Sequence, residues 1–332
     1  MNFPFPVLLC DIGGTNARFA LARSPAAQLE YGPHLKTADY PSFEAAVANA
    51  LSGLGVKPRS LIACAAGPVN QRSVKLTNAA WSIDGEKAAE AAGLDQGLLL
   101  NDFEAQALAL PALQTAWTRP IGGFFDAKPG AQLILGLGTG LGAAALLEIE
   151  GRHFALSSEA GHMDFGPVGE EQAAIWRHLD TSEHGRVSVE TVLSGAGLAR
   201  LHRARCAAAG RIAPDFDEVA LIENAHARPN GEEAETLRLA WTLVARFAGD
   251  LALALLAKGG VTFSGGVLPR LADFLDPHEF RAHFEDKAPF GDLMRGIGAR
   301  LIVAEDVVLA GMGAIAAAPQ AYAINYARRA WR

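Results

Sequence analysis

The chain has 332 residues, half of them hydrophobic and a fifth charged, which suits one large or two ordinary globular domains. Its formal charge is −7, with no basic run beyond the short 328–332 tail, which argues against nucleic acid as a main partner. Cys10, Cys64 and Cys206 are too few and too far apart for a disulfide framework, and no CxxC pair offers a zinc site.

In chain order, residues 7–22 predict a strand, a tight turn and a strand. Residues 43–51 predict a short helix, with Phe43, Val47 and Leu51 at four-residue spacing. A buried strand over 61–66 stops at Gly67-Pro68, and an Ala-rich helix over 85–92 stops at Gly93. The strand 98–100 runs into Asn101-Asp102, and a helix follows to Leu110 before Pro111. The Gly/Pro-rich stretch 120–130 reads as a loop or domain junction, and a second strand–turn–strand follows over 133–149. Helices are expected over 170–178, 189–207 and 234–256. A strand over 261–264 ends at Gly265-Gly266, and a last helix runs from about Gly311 into the tail, interrupted at Pro319. The uncharged stretch 307–327 is long enough to span a bilayer. It is rich in Ala and Gly and holds Pro319, Gln320 and Asn325, so it reads as core. The N-terminus shows no basic segment ahead of its apolar run, so no signal peptide is read. No membrane association and a cytoplasmic location are expected. Mixed strand–helix units in two halves predict an α/β architecture.

One internal repeat stands out. Residues 8–21 and 133–146 are each an apolar run, a Gly/Thr turn and a second apolar run. Glycine lets backbone N–H groups close on an anion, and threonine adds a hydroxyl donor. The first copy, Asp11-Ile12-Gly13-Gly14-Thr15-Asn16, alone carries an acid at its strand end. A carboxylate there is costly unless it meets donors or a cation, so Asp11 is a candidate for holding Mg²⁺, directly or through water. The second copy, Gly138-Thr139-Gly140, also fits a relaxed dinucleotide fingerprint if a helix follows Gly142. No GxxxxGK[ST] loop exists, so a P-loop is excluded. Gly265-Gly266 reads either as a plain strand-to-helix turn or as a third backbone wall for a nucleotide. Asn101-Asp102 reads either as a helix N-cap or as a general base at a strand end, where α/β sheets bind ligands. Glu159-Ala160-Gly161-His162 is either a surface loop or a set of partners for sugar hydroxyls. Glu190 opens a helix, where an acid needs no function.

Taken together, these motifs resemble the bacterial glucokinases of the sugar kinase, heat-shock and actin superfamily. The resemblance runs nearly end to end, through CDIGGTNARFAL at 10–21, LTNAAWSI at 76–83, LNDFEAQALALP at 100–111 and GLGTGLG at 136–142. It continues through SEAGHMDFGP at 158–167, VSVETVLSGAGL at 187–198, FSGGVLPR at 263–270 and FEDK at 284–287. It implies two ribonuclease-H-like α/β domains flanking a nucleotide/sugar cleft. These are a small N-terminal domain, 1–110, to which a C-terminal helix of about 311–332 returns, and a large domain, 111–310. It implies ATP-dependent phosphorylation of D-glucose with Asp102 as catalytic base. Asn101, Asp102, Glu159, His162 and Glu190 would hold the sugar. Asp11, Gly13, Gly14, Thr15, Asn16, Gly138, Thr139, Gly140, Gly265 and Gly266 would line ATP, and Asp11 would serve Mg²⁺. The family's usual oligomer is a homodimer. Related zinc-bearing sugar kinases carry a Cys-rich loop after the Glu/His motif. Here no cysteine lies between Cys64 and Cys206, so the zinc-free branch is the better match; Ala160, where Gly is the commoner residue, is a departure from the family pattern in that loop's backbone. Rival readings are a kinase for another hexose or N-acetyl hexosamine, and a sugar-responsive regulator that does not turn over. The related repressors carry an N-terminal helix-turn-helix domain, for which a phosphate strand starting at Val7 leaves no room.

Overall fold

A computed structural model describes every residue except 53–54, 77–78, 183–184 and 332. Thr77 and Asn78 of the LTNAAWSI motif therefore lie outside the described residues. The chain divides into two compact units: Met1–Trp117 with Leu146–Ser157 and Ala304–Arg332, and Thr118–Ala145 with Ser158–Val303.

The sheet of the first unit has the strand order Ala330–Trp331, Gln96–Asn101, Ser60–Ala65, Val7–Ile12, Asn16–Ala22, Glu30–Lys36. Val7–Ile12 pairs parallel with Ser60–Ala65, which pairs parallel with Gln96–Asn101. The remaining pairings are antiparallel. The central strands are buried on both faces, which explains their near-continuous apolar runs in place of alternation. Helix Phe43–Ser52 adds Phe43, Ala46 and Val47 to one core, where Phe19, Leu61, Trp81 and Ile83 also lie. Helix Gly85–Ala92 is capped by the Asp84 carboxylate, which accepts from the amides of Glu86 and Lys87. It ends at Gly93 in the left-handed conformation.

The second sheet repeats the plan: Arg152–Ser158, Leu141–Ile149, Gln132–Leu137, Val261–Ser264, Ala299–Ile302, Thr118–Pro120. In both sheets a meander of three consecutive strands is followed by two strands in parallel and closed by an antiparallel edge strand. The internal repeat thus extends from one hairpin to a whole sheet. The core of the second unit is built around the aromatic group Trp241, Phe263, Phe280 and Phe284.

Several expectations need correction. The single helix expected over 189–207 is two, Val189–Val192 and Gly195–Ala208, because the Ser194 side chain caps a fresh start by accepting from the Gly197 amide. The stretch after Gly142 is a strand, so the dinucleotide reading fails at the point where it requires a helix. The helix expected over about 311–332 is instead Val307–Ala317. Pro319 bars its continuation and opens a short 3-10 turn, and the tail ends in the strand Ala330–Trp331. The apolar 307–317 segment is buried against helix Asp102–Ala109, with Gly311 so close to Ala109 that no Cβ fits between them. Among the described residues no helix is long and apolar enough to cross a membrane.

Candidate active site

In the first unit, strand register sets the chemistry side by side. Asp11 lies opposite Arg18 on one neighbour and Cys64 on the other, and Cys64 in turn lies opposite Leu100. Asn101 and Asp102 follow directly, where the strand Gln96–Asn101 gives way to helix Asp102–Ala109. The Cys64 thiol donates to Asp11 Oδ1 at 3.3 Å. Burial pushes the Asp11 carboxyl above its ordinary value; the Cys64 hydrogen bond and Arg18 pull it down, and Asp306 pushes it up. Burial also raises both Cys10 and Cys64, so these thiols are packing groups and not nucleophiles.

Asp306 is a neighbour that the sequence reading missed. Its Oδ1 is buried and accepts no hydrogen bond, with Arg18 Nε 4.0 Å away. Its Oδ2 lies 3.4 Å from His34 Nε2. Among the described residues, His34, Glu305 and Asp306 group their ligand atoms within 4.8 Å of one another, and no cysteine joins them.

Asp102 is half-buried, and its carboxyl is pushed up to about 6. Burial is the largest cause and the nearby Asp11 charge adds to it, while the amides of Phe103 and Asp102 and the Asn101 side chain oppose it. A carboxylate poised near neutrality is suited to accept a proton. Asn101 holds it in place. Its Nδ2 donates to Asp102 Oδ1 at 2.9 Å and to the Gly67 carbonyl at 3.0 Å, while its Oδ1 accepts from the amides of Phe103 and Glu104. All four hydrogen-bonding positions of the Asn101 side chain are therefore taken within the protein. Glu104 completes a capping box by accepting from the Asn101 amide.

The Gly13-Gly14-Thr15 turn is closed by the Gly13 amide donating to Asn16 O at 2.8 Å. It is braced by Thr37, whose hydroxyl donates to Gly14 O and whose amide donates to Thr15 O. Thr15 and Asn16 are exposed. Thr37 carries no sequence signal, since it reaches the turn only through pairing of the strands Asn16–Ala22 and Glu30–Lys36.

In the second unit, Leu141 is the point where the expected residues meet. Its amide donates to Glu190 Oε2 at 2.7 Å, and its carbonyl presses on Gly161, where a Cβ would not fit. The Glu190 carboxylate also leaves no room for a Cβ on Gly140. The Gly138–Thr139–Gly140 turn, the 3-10 turn Ala160–His162 and the start of helix Val189–Val192 are thus fastened together. Glu159 and His162 are exposed, as is Thr139 at the tip of its turn. Gly138 closes that turn by donating to Gly140 O, and its Cα faces open space. Gly265, with φ of 89°, sits so tightly on the Leu137 carbonyl that only glycine fits, whereas Gly266 faces open space.

The two sheets share one plan, and in each the first two strands of the meander are joined by a glycine turn. Comparison with known proteins gives the family. The Glucokinase family model matches residues 8–319. A glucokinase of Sinorhizobium fredii is 39% identical over 333 aligned positions, covering 100% of this chain and 98% of that protein. The crystal structure of a glucokinase from an Antarctic psychrotroph is 33% identical, with a TM-score of 0.81, over 94% of this chain and 98% of that one. A Balamuthia mandrillaris glucokinase solved in complex with glucose shares the fold at 21% identity and a TM-score of 0.77, over 94% and 93% of the two chains. The chain belongs to the glucokinase family.

Proposed function

We propose that this chain transfers the γ-phosphoryl group of ATP to the 6-hydroxyl of D-glucose, giving glucose 6-phosphate and ADP, with Asp102 as general base. The observation that carries the base assignment is the half-buried Asp102 carboxyl, raised to about 6 and held by Asn101 at a strand end. As the 6-hydroxyl attacks phosphorus, its proton passes to Asp102 and the bond from phosphorus to the bridging oxygen of ADP breaks. The glycine turns supply fixed backbone donors. Because Gly13 and Gly138 spend their own amides closing the turns, contact with phosphate falls to the residues after them, Gly14, Thr15 and Asn16 in one and Thr139 and Gly140 in the other. Gly265 and Gly266 add a third backbone wall.

Glu159, His162 and Glu190 are read as partners for sugar hydroxyls. Glu190 already accepts from Leu141 through Oε2, so Oε1 is the oxygen offered to the sugar. Asn101 contributes to sugar binding only by trading an internal hydrogen bond for one to a hydroxyl, so its main task is to aim Asp102. The residues around Asp11 fit a divalent cation: Asp11 and Asp306 share the single guanidinium of Arg18, and Asp306 Oδ1 is a buried oxygen with no donor. Mg²⁺ held there by Asp11, directly or through water, supplies charge neutralisation for the phosphate oxygens. The reading assigns no role to zinc. We take the two compact units as the two domains, and the enzyme as a cytoplasmic homodimer. A coupled assay for ADP and sugar phosphate over glucose, mannose, galactose and N-acetylglucosamine tests the substrate. Glucose is expected to give the highest kcat/KM, and equal turnover of all four would overturn the assignment.

A further inference from the structure

We propose that the C-terminal residues Arg329, Ala330 and Trp331 form a positioning device for the general base, acting through Glu104; this rests on the reading of Asp102 as that base. Glu104 is a charged residue only 7% exposed. Its Oε2 accepts from the backbone amide of Asn101 at 3.3 Å and from the guanidinium of Arg329. The Asn101 side chain then donates to Asp102 Oδ1. A continuous line of hydrogen bonds therefore runs from Arg329 through Glu104 and Asn101 to the carboxylate.

The tail is built to deliver that guanidinium. Ala330 and Trp331 pair with Leu98 and Gly97, on the strand that ends at Asn101. The Trp331 indole, 3% exposed, fills a slot over Gly97 and Gly85, where neither position has room for a Cβ. Arg329 is thus fixed to the same strand whose end it supports. A buried carboxylate that loses its counter-charge either takes up a proton, which weakens it as the acceptor for the Asn101 amide, or turns toward solvent, which releases that amide from the capping box. A small displacement of a catalytic group is costly, up to about 10²-fold for about 1 Å.

The test uses the full chain and four variants: Arg329→Met, Arg329→Lys, Glu104→Gln and the Glu104→Gln/Arg329→Met double, with Asp102→Asn run in parallel. Glutamine keeps the capping box while removing the buried charge. Arg329→Met is expected to lower kcat about 10-fold, with KM for glucose and ATP within about twofold, and Arg329→Lys to recover most of the loss. In the Glu104→Gln background, Arg329→Met should change kcat by less than about twofold, because no buried charge is left unpaired. Circular dichroism and active-site titration normalise each rate to folded protein. An Arg329→Met rate within twofold of wild type, or a loss of equal size in the Glu104→Gln background, overturns the inference. If Asp102→Asn keeps its turnover, the base assignment has failed instead; if Asp102→Asn is dead and Arg329→Met is fully active, only the tail inference has failed.

Discussion

Asp102→Asn should damage activity and improve stability in the same molecule. Loss of a general base is expected to reduce kcat by roughly 10²–10⁴-fold while glucose still binds. The stability change follows from the same carboxyl. Its value in the folded protein is about 6 against an ordinary 3.8, so as pH rises the unfolded chain releases this proton first. The ionised group therefore costs folding free energy above about pH 6 and costs nothing below about pH 4. A difference of about two pH units corresponds to roughly 3 kcal/mol, an upper bound because Asp102 is only half-buried. The favourable amides at the first turn of helix Asp102–Ala109 are already contained in that value, since they pull the carboxyl down against burial. The gain, discounted for half-burial, should be about 1–2 kcal/mol at about pH 8, vanishing as pH falls through 6 toward 4. Denaturant unfolding of both proteins at several pH values, beside steady-state kinetics, measures both halves. Turnover near that of wild type, or a stability difference that does not change between about pH 8 and pH 4, would refute the reasoning.

Asp11→Ala should raise KM for Mg·ATP more than KM for glucose; an unchanged KM for ATP at every Mg²⁺ concentration would make Asp11 merely structural. Treatment with a strong zinc chelator followed by excess Mg²⁺ should leave activity and Tm intact, and stoichiometric zinc by elemental analysis would contradict this. Glu159→Gln, Glu190→Gln and His162→Ala should each raise KM for glucose and relax the preference over mannose, galactose and N-acetylglucosamine, since sites built to pair hydroxyls discriminate by as much as about 10⁴–10⁵. Glu190→Gln should have an added structural effect, because it weakens the acceptor that anchors Leu141; a ranking of sugars unchanged in all three variants would remove these residues from the sugar site.

The sequence alone was enough for the two glycine turns, the strand 261–264, the helix stopped at Gly93 and the strand-to-helix junction at Asn101-Asp102. These are local signals: apolar runs bounded by Gly, Pro, Asn or Asp fix where the backbone must stop or turn. The N-cap at Asn101 was legible too, whereas the capping box that Glu104 closes on it came from the structure. What only the tertiary structure decided is which distant groups face each other. Cys64, Arg18 and Asp306 reach Asp11 through strand register and a helix from the far end of the chain. Glu190 turned from a helix-start acid into an anchor for Leu141, and Trp331 into the plug over Gly97. The raised Asp102 carboxyl belongs to the same class, because burial and a neighbouring charge exist only once the sheet has formed. Local preference is written in adjacent residues, whereas desolvation and charge proximity are properties of the packed chain.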